Sequence, residues 1–180
     1  MGKIVKVLLA LLAVLTAVIG IKSGYHVGKQ ANFPVAYNEY IVKYAHEYDL
    51  DPYLVMAVIK VESNFVPEAE SAYAAGLMQL TEETAAWNAK QMGLKNYNYK
   101  DPQTNIRIGC HYLRHLIDEY KNTDTALAAY NGGMGNVNKW LKDKQYSDNG
   151  KTLKYIPFPE TRHYVKKVNE NWEKYKELYK

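Results

Sequence analysis

Apolar residues crowd the start of this chain and then thin into a repeat. Residues 7–21 read VLLALLAVLTAVIGI, and with Ile4 and Val5, broken only by Lys6, the run approaches the roughly 20 residues that cross a bilayer as a helix. Beyond it, apolar positions recur at intervals of three and four, the period of a helix with one buried face. The recurrence predicts helices over 34–48, 52–65, 82–92, 102–121, 125–130, 136–141 and 160–179. Gly, Pro, Asn and Asp gather between them, and no segment alternates apolar with polar residues in the way that demands a strand. The pattern therefore predicts an all-α domain over 34–180, a linker over 24–33 and a membrane segment over 1–23. The long connection over 142–159 is of a length that often carries function.

One residue fits this pattern badly. Asp51 and Pro52 look like a helix cap and a first helical residue, since proline lacks the amide hydrogen that a helix start leaves unused. In the helix that follows, Val55, Val58 and Ile59 lie seven, four and three positions before Glu62, so all four share one stripe. Pro67 bounds the helix soon afterwards, which places Glu62 in its last turn, facing inward. Burial disfavours a carboxylate, and so does the negative end of the helix dipole. Both raise the pKa, as a general acid working near neutral pH requires. An end-of-helix acid neutralised by a buried Arg or Lys has the same sequence signature, so position alone leaves both readings open.

Three further blocks bear on the choice: GLMQL at 76–80, AAYNGG at 128–133 and IPFPETRHYV at 156–165. Gly76 permits a close backbone approach, and Gln79 carries an amide able to donate and accept toward a sugar substituent. Thr81, Glu82 and Glu83 equally suit a plain helix start. Tyr130 and Asn131 end a small-residue helix, and Gly132, Gly133 and Gly135 break the chain behind them. Such a break exposes the last side chains, or makes Asn131 a left-handed cap. Glu160 opens the last helix after Pro157 and Pro159, where an acid is favourable for structural reasons alone.

Taken with Glu62-Ser63 and with DPQTNIRIGCHYL at 101–113, these blocks resemble the motifs of the lytic transglycosylases typified by the soluble lytic murein transglycosylase catalytic domain. The resemblance runs from about Ala36 onward and departs at SAYAAG, 71–76, which is one residue shorter than the family's usual loop. It implies a lysozyme-like helical fold acting on peptidoglycan glycan strands without a cofactor or metal. It also implies Glu62 as the catalytic residue, with substrate contacts at Ser71, Met78, Gln79, Tyr130, Asn131, Glu160 and Tyr164. In that family the substrate's own 2-acetamido group and C6 hydroxyl stand in for a second carboxylate, and the product is a 1,6-anhydromuramic end. The chain agrees in one respect: Asp51, Glu68, Glu70, Asp101 and Asp124 sit at caps or in loops, and Glu62 is the acid in an apolar setting. A water-using muramidase on the same fold and a silent wall-binding module are the rival readings.

Composition adds little to this. Seventeen Tyr and three Trp in 180 residues suit sugar binding, because aromatic rings cover the apolar faces of sugars. The series Tyr37, Tyr40 and Tyr44, and the series Tyr112, Leu113, Leu116, Ile117 and Tyr120, still read first as packing faces. A net charge of +4 is no nucleic-acid footprint. His111 and His115 form an isolated pair rather than a metal set. The single cysteine, Cys110, excludes an internal disulfide and reads as a buried small residue. Lys3 and Lys6 ahead of the apolar run resemble the basic region of an export signal. With no small-residue cleavage site standing cleanly after it and no cysteine there for a lipid, a retained anchor is preferred to a cleaved signal. Export would place the domain at the outer face of the cell membrane, toward the wall.

Overall fold

The computed structural model describes Thr16 and residues 32–180. The expected membrane segment and linker fall almost wholly outside these residues, and no helix among the described residues is long and apolar enough to cross a membrane. The chain divides at Pro34, and the unit Val35–Lys180 carries everything that follows.

Seven helices and one small hairpin build this unit: α1 (Asn38–Glu47), α2 (Pro52–Ser63), β1 (Ala74–Ala75), β2 (Leu80–Thr81), α3 (Glu82–Gln91), α4 (Pro102–Tyr120), α5 (Thr123–Gly132), α6 (Met134–Leu141) and α7 (Pro159–Tyr179). Their starts follow local chemistry. Asp51 accepts the Tyr53 amide at 2.8 Å, Asp101 the Thr104 amide at 3.0 Å, Thr81 the Thr84 amide at 3.1 Å and Asn122 the Thr125 amide at 2.9 Å. Each cap gives a partner to an amide that the first helical turn leaves without one.

Helix ends depart from the sequence expectation. Tyr37 takes a left-handed conformation (φ 60), so the first helix begins at Asn38 rather than at Pro34. The second stops at Ser63, ahead of Pro67, because Asn64 (φ 49) and Phe65 (φ 65) both turn left-handed. The expectation of no strand is also corrected. Ala74 pairs with Thr81 and Ala75 with Leu80 in an antiparallel ladder too short for any alternation to show.

Helix α2 packs along α7, α4 packs on α5 and α1, and α5 packs on α7. Val55, Ile59, Leu77, Leu80, Ile106, Leu113, Leu116 and Leu127 are fully buried in the core that results. At the α2–α7 contact, Trp172 Nε1 donates to Asp51 Oδ2 at 2.7 Å and Tyr53 Oη donates to the Tyr179 carbonyl at 2.7 Å. Cys110 lies inside α4, fully buried, with its thiol pushed above the usual range by burial.

Candidate active site

The second helix and the GLMQL loop are joined at one residue. Ser63 Oγ donates toward the Ile59 carbonyl at 3.1 Å and the Leu77 carbonyl at 2.8 Å, so the end of α2 is fastened to the loop that follows the first hairpin strand. The other fastening comes from α4. Asn105, fully buried, accepts the Met78 amide at 2.7 Å and donates to the Ala75 carbonyl at 3.1 Å and the Tyr99 carbonyl at 2.8 Å.

Two glycines allow this closeness. A Cβ on Gly76 (φ 82) would fall 2.7 Å from Asn105 Cγ, and one on Gly109 would fall on the Met78 side chain. The Asn and Gly of NIRIG are thus the residues that clamp the loop.

Glu62 stands beside this clamp. It is half-buried, and burial pushes its carboxyl from 4.5 up to about 7, with the Tyr164 hydroxyl pulling weakly the other way. Tyr164 rises from α7 and is buried, with its hydroxyl turned to the Glu62 carboxyl. Burial first, and the Glu62 charge second, hold the phenols of Tyr164 and Tyr130 well above the usual tyrosine range. Tyr130 Oη donates to the Met78 carbonyl at 2.8 Å, and its ring lies parallel to that of Tyr164 with centroids 6.5 Å apart.

Glu62 has no rival acid in a comparable setting. Every other described Asp and Glu is exposed except Asp51, which is occupied as the α2 cap and as the acceptor for Trp172. The buried Arg or Lys that would neutralise Glu62 is not among the causes of its shift.

The remaining expected residues separate into three places. Met78 is fully buried against Gly109, so what it offers this corner is its backbone carbonyl. Gln79, in a left-handed conformation (φ 44), donates through Nε2 to the Ala69 carbonyl at 2.8 Å and the Gly76 carbonyl at 2.9 Å. Its donor half is therefore engaged within the loop, a correction to the two-way amide expected from sequence, and Oε1 is the atom left to accept. Ser71 is exposed and closes its own turn, its Oγ accepting the Ala74 amide at 3.0 Å.

Asn131 and Glu160 share the wall of a cavity of about 330 Å³ with Gly132, Phe158 and Thr161. Gly132 permits the approach, since a Cβ there would meet Thr161 Oγ1 at 3.0 Å. Asn131 lies within α5 and the C-cap is Gly133, at positive φ (83), which removes the capping alternative for Asn131. A larger cavity of about 740 Å³, walled by Tyr120, Asn138, Lys142 and Gly150 among others, contains none of the expected site residues.

Residues 39–153 match the family described as the transglycosylase SLT domain. The chain belongs to that family. The soluble lytic murein transglycosylase of Salmonella typhimurium is 36% identical over 146 residues, 77% of this chain and 23% of that protein. The membrane-bound lytic murein transglycosylase C of Serratia proteamaculans is 31% identical over 177 residues, 84% of this chain and 49% of that protein. The crystal structure of the 70 kDa soluble lytic transglycosylase of Escherichia coli superposes with a TM-score of 0.72 at 32% identity, covering 81% of this chain and 25% of that one. The chain thus spans from 23% to 49% of the length of these relatives, and its helical fold is the lysozyme-like one.

Within this SLT domain the structure adds a residue that sequence reasoning assigned to packing. The Tyr112 ring meets that of Tyr130 with centroids 5.3 Å apart, and burial raises its phenol. A helical stripe cannot reveal this, because Tyr112 shares its period with the core positions Leu113 and Leu116. Its place one turn after Gly109, the glycine that receives Met78, was the available signal. The two histidines are half-buried: His111 Nδ1 bonds Asn88 Oδ1 at 2.7 Å and His115 packs on Trp87. Among the described residues no group of His, Cys, Asp and Glu could hold a metal ion.

Proposed function

We propose that this chain is a peptidoglycan lytic transglycosylase in which Glu62 serves in turn as acid and base. The observation that carries the reading is a half-buried carboxyl held near 7, with no second buried acid beside it. A protonated Glu62 donates to the β-1,4 oxygen between N-acetylmuramic acid and N-acetylglucosamine, and the C1–O bond breaks as the neighbouring 2-acetamido oxygen bonds to C1. The carboxylate then takes the proton of the C6 hydroxyl as that oxygen attacks C1 and displaces the acetamido oxygen. The product is a 1,6-anhydro ring, and Glu62 ends protonated as it began.

Two-carboxylate glycosidases place their second acid within about 10 Å of the first, as base or nucleophile. Among the described residues Glu62 is the one carboxyl held above its ordinary value by burial, and a nucleophile supplied by the substrate needs no second acid. Gln79 Oε1, the Met78 carbonyl, Tyr130 and Tyr164 make the corner that holds the muramic sugar, with Asn131 and Glu160 further along the cleft and Ser71 on the loop at its edge.

The domain reading is 1–23 as a retained membrane anchor, 24–33 as linker and 34–180 as catalytic domain facing the wall. The apolar run supports it, as does the membrane-bound relative from Serratia. Digestion of purified peptidoglycan followed by borohydride reduction and mass spectrometry tests the chemistry. Muramic ends that resist reduction and are one water lighter are expected; ends that all reduce would make the enzyme a hydrolase.

A further inference from the structure

We infer that Trp87 forms a stacking platform for a sugar of the glycan strand, in a subsite that continues the cleft beyond Tyr112. The inference rests on the transglycosylase reading. A cavity of about 290 Å³ is walled by Glu83, Thr84, Trp87, Asn88, Tyr112 and Met134. Tyr112 belongs to both places: one wall of this cavity, and the ring series Tyr112, Tyr130, Tyr164 that ends at Glu62. The subsite is therefore contiguous with the reacting corner.

Trp87 departs from the burial expected of a large aromatic side chain. It is 41% exposed, on the first helix after the hairpin, and its indole N–H makes no hydrogen bond among the described residues. It is nevertheless held in place. The His115 ring leans against it at 54° with centroids 4.8 Å apart, and neighbouring Asn88 is fixed by donating to the Thr84 carbonyl at 2.8 Å and by bonding His111 at 2.7 Å. A braced and partly exposed indole beside the exposed Glu83 carboxylate matches a pyranose: an apolar face to cover and hydroxyls to bond at its edge. A strand that threads from Glu62 past Tyr112 reaches this ring next.

The test uses the full chain carrying Glu62→Gln, which leaves strands uncut, and measures its affinity for soluble, uncross-linked peptidoglycan strands with their stem peptides. Adding Trp87→Ala is expected to weaken binding about tenfold, the equivalent of one good aromatic contact. Trp87→Tyr, which keeps a stacking ring, should recover most of that loss, and the melting temperatures of the variants should agree within a few degrees. Equal binding by the Trp87→Ala protein would overturn the subsite, as would a Trp87→Tyr protein no better than Trp87→Ala. Both results would leave the chemistry at Glu62 standing. If instead the Glu62→Gln protein binds no strand and the unaltered protein makes no anhydro ends, the transglycosylase reading falls and the subsite with it.

Discussion

Glu62 and Glu160 are both cleft acids in the proposed enzyme, and they sit at opposite kinds of helix end. Glu62 closes α2, near the negative pole of the helix, half-buried beneath Tyr130 and Tyr164. Glu160 opens α7, near the positive pole, exposed to solvent. The first environment resists a negative charge and the second welcomes one. One side chain type therefore meets opposite surroundings at these two helix ends.

The contrast is sharpest in turnover. Glu62→Gln keeps the shape and removes the proton, and should lower the rate of peptidoglycan cleavage by about a hundred- to ten-thousand-fold, the usual range for a general acid. Glu160→Gln should cost less than about tenfold in a parallel assay, since no proton is asked of it. Comparable losses at the two positions would erase the distinction.

Stability against pH gives a second separation. The folded carboxyl of Glu62 titrates above its unfolded value, so its favourable contribution is complete below about 4.5 and is lost as pH rises through about 7. Glu62→Gln should accordingly unfold with the same free energy as the unaltered protein in acid, and be more stable by at most about 3 kcal/mol above pH 8. Denaturant titrations at several pH values would measure it.

The clamp that shapes the Glu62 corner should be costly to loosen. Asn105→Ala removes partners from two buried backbone groups and one part-buried carbonyl, and we expect about 2–3 kcal/mol of lost stability together with a fall in activity. Gly109→Ala forces a methyl onto the Met78 side chain, at about 1–3 kcal/mol. The Asn131 and Glu160 cavity lies outside this clamp, and Asn131→Ala should change stability by less than about 0.5 kcal/mol.

The smallest expected effect is the most specific. Tyr164→Phe removes the hydroxyl that favours the Glu62 carboxylate and so lowers its pKa, and the alkaline limb of the activity profile should move to higher pH. A shift to lower pH would mean that Tyr164 stabilises the acid rather than the carboxylate.

What could be read from the sequence follows the same division. The start of α2 was legible because Asp51 and Pro52 act locally, and the inward face of Glu62 because helical period places it with Val55, Val58 and Ile59. The hairpin was not legible, since two-residue strands carry no pattern and depend on Gly76 meeting Asn105 from α4. The Gln79 amide was hidden differently, by a left-handed turn (φ 44) that brings it to the Ala69 and Gly76 carbonyls of its own loop. The part played by Tyr112 and the exposure of Trp87 are settled by which helix lies alongside, something that residue spacing within one helix does not record.

The carboxyl of Glu62 can be titrated directly. Carbon NMR of protein labelled at the glutamate side-chain carboxyls, compared with Glu62→Gln to assign the missing signal, should show one resonance moving with a midpoint at about 7. A midpoint in the ordinary glutamate range, near 4.5, would contradict the claim that burial at the end of α2 keeps this acid protonated for catalysis.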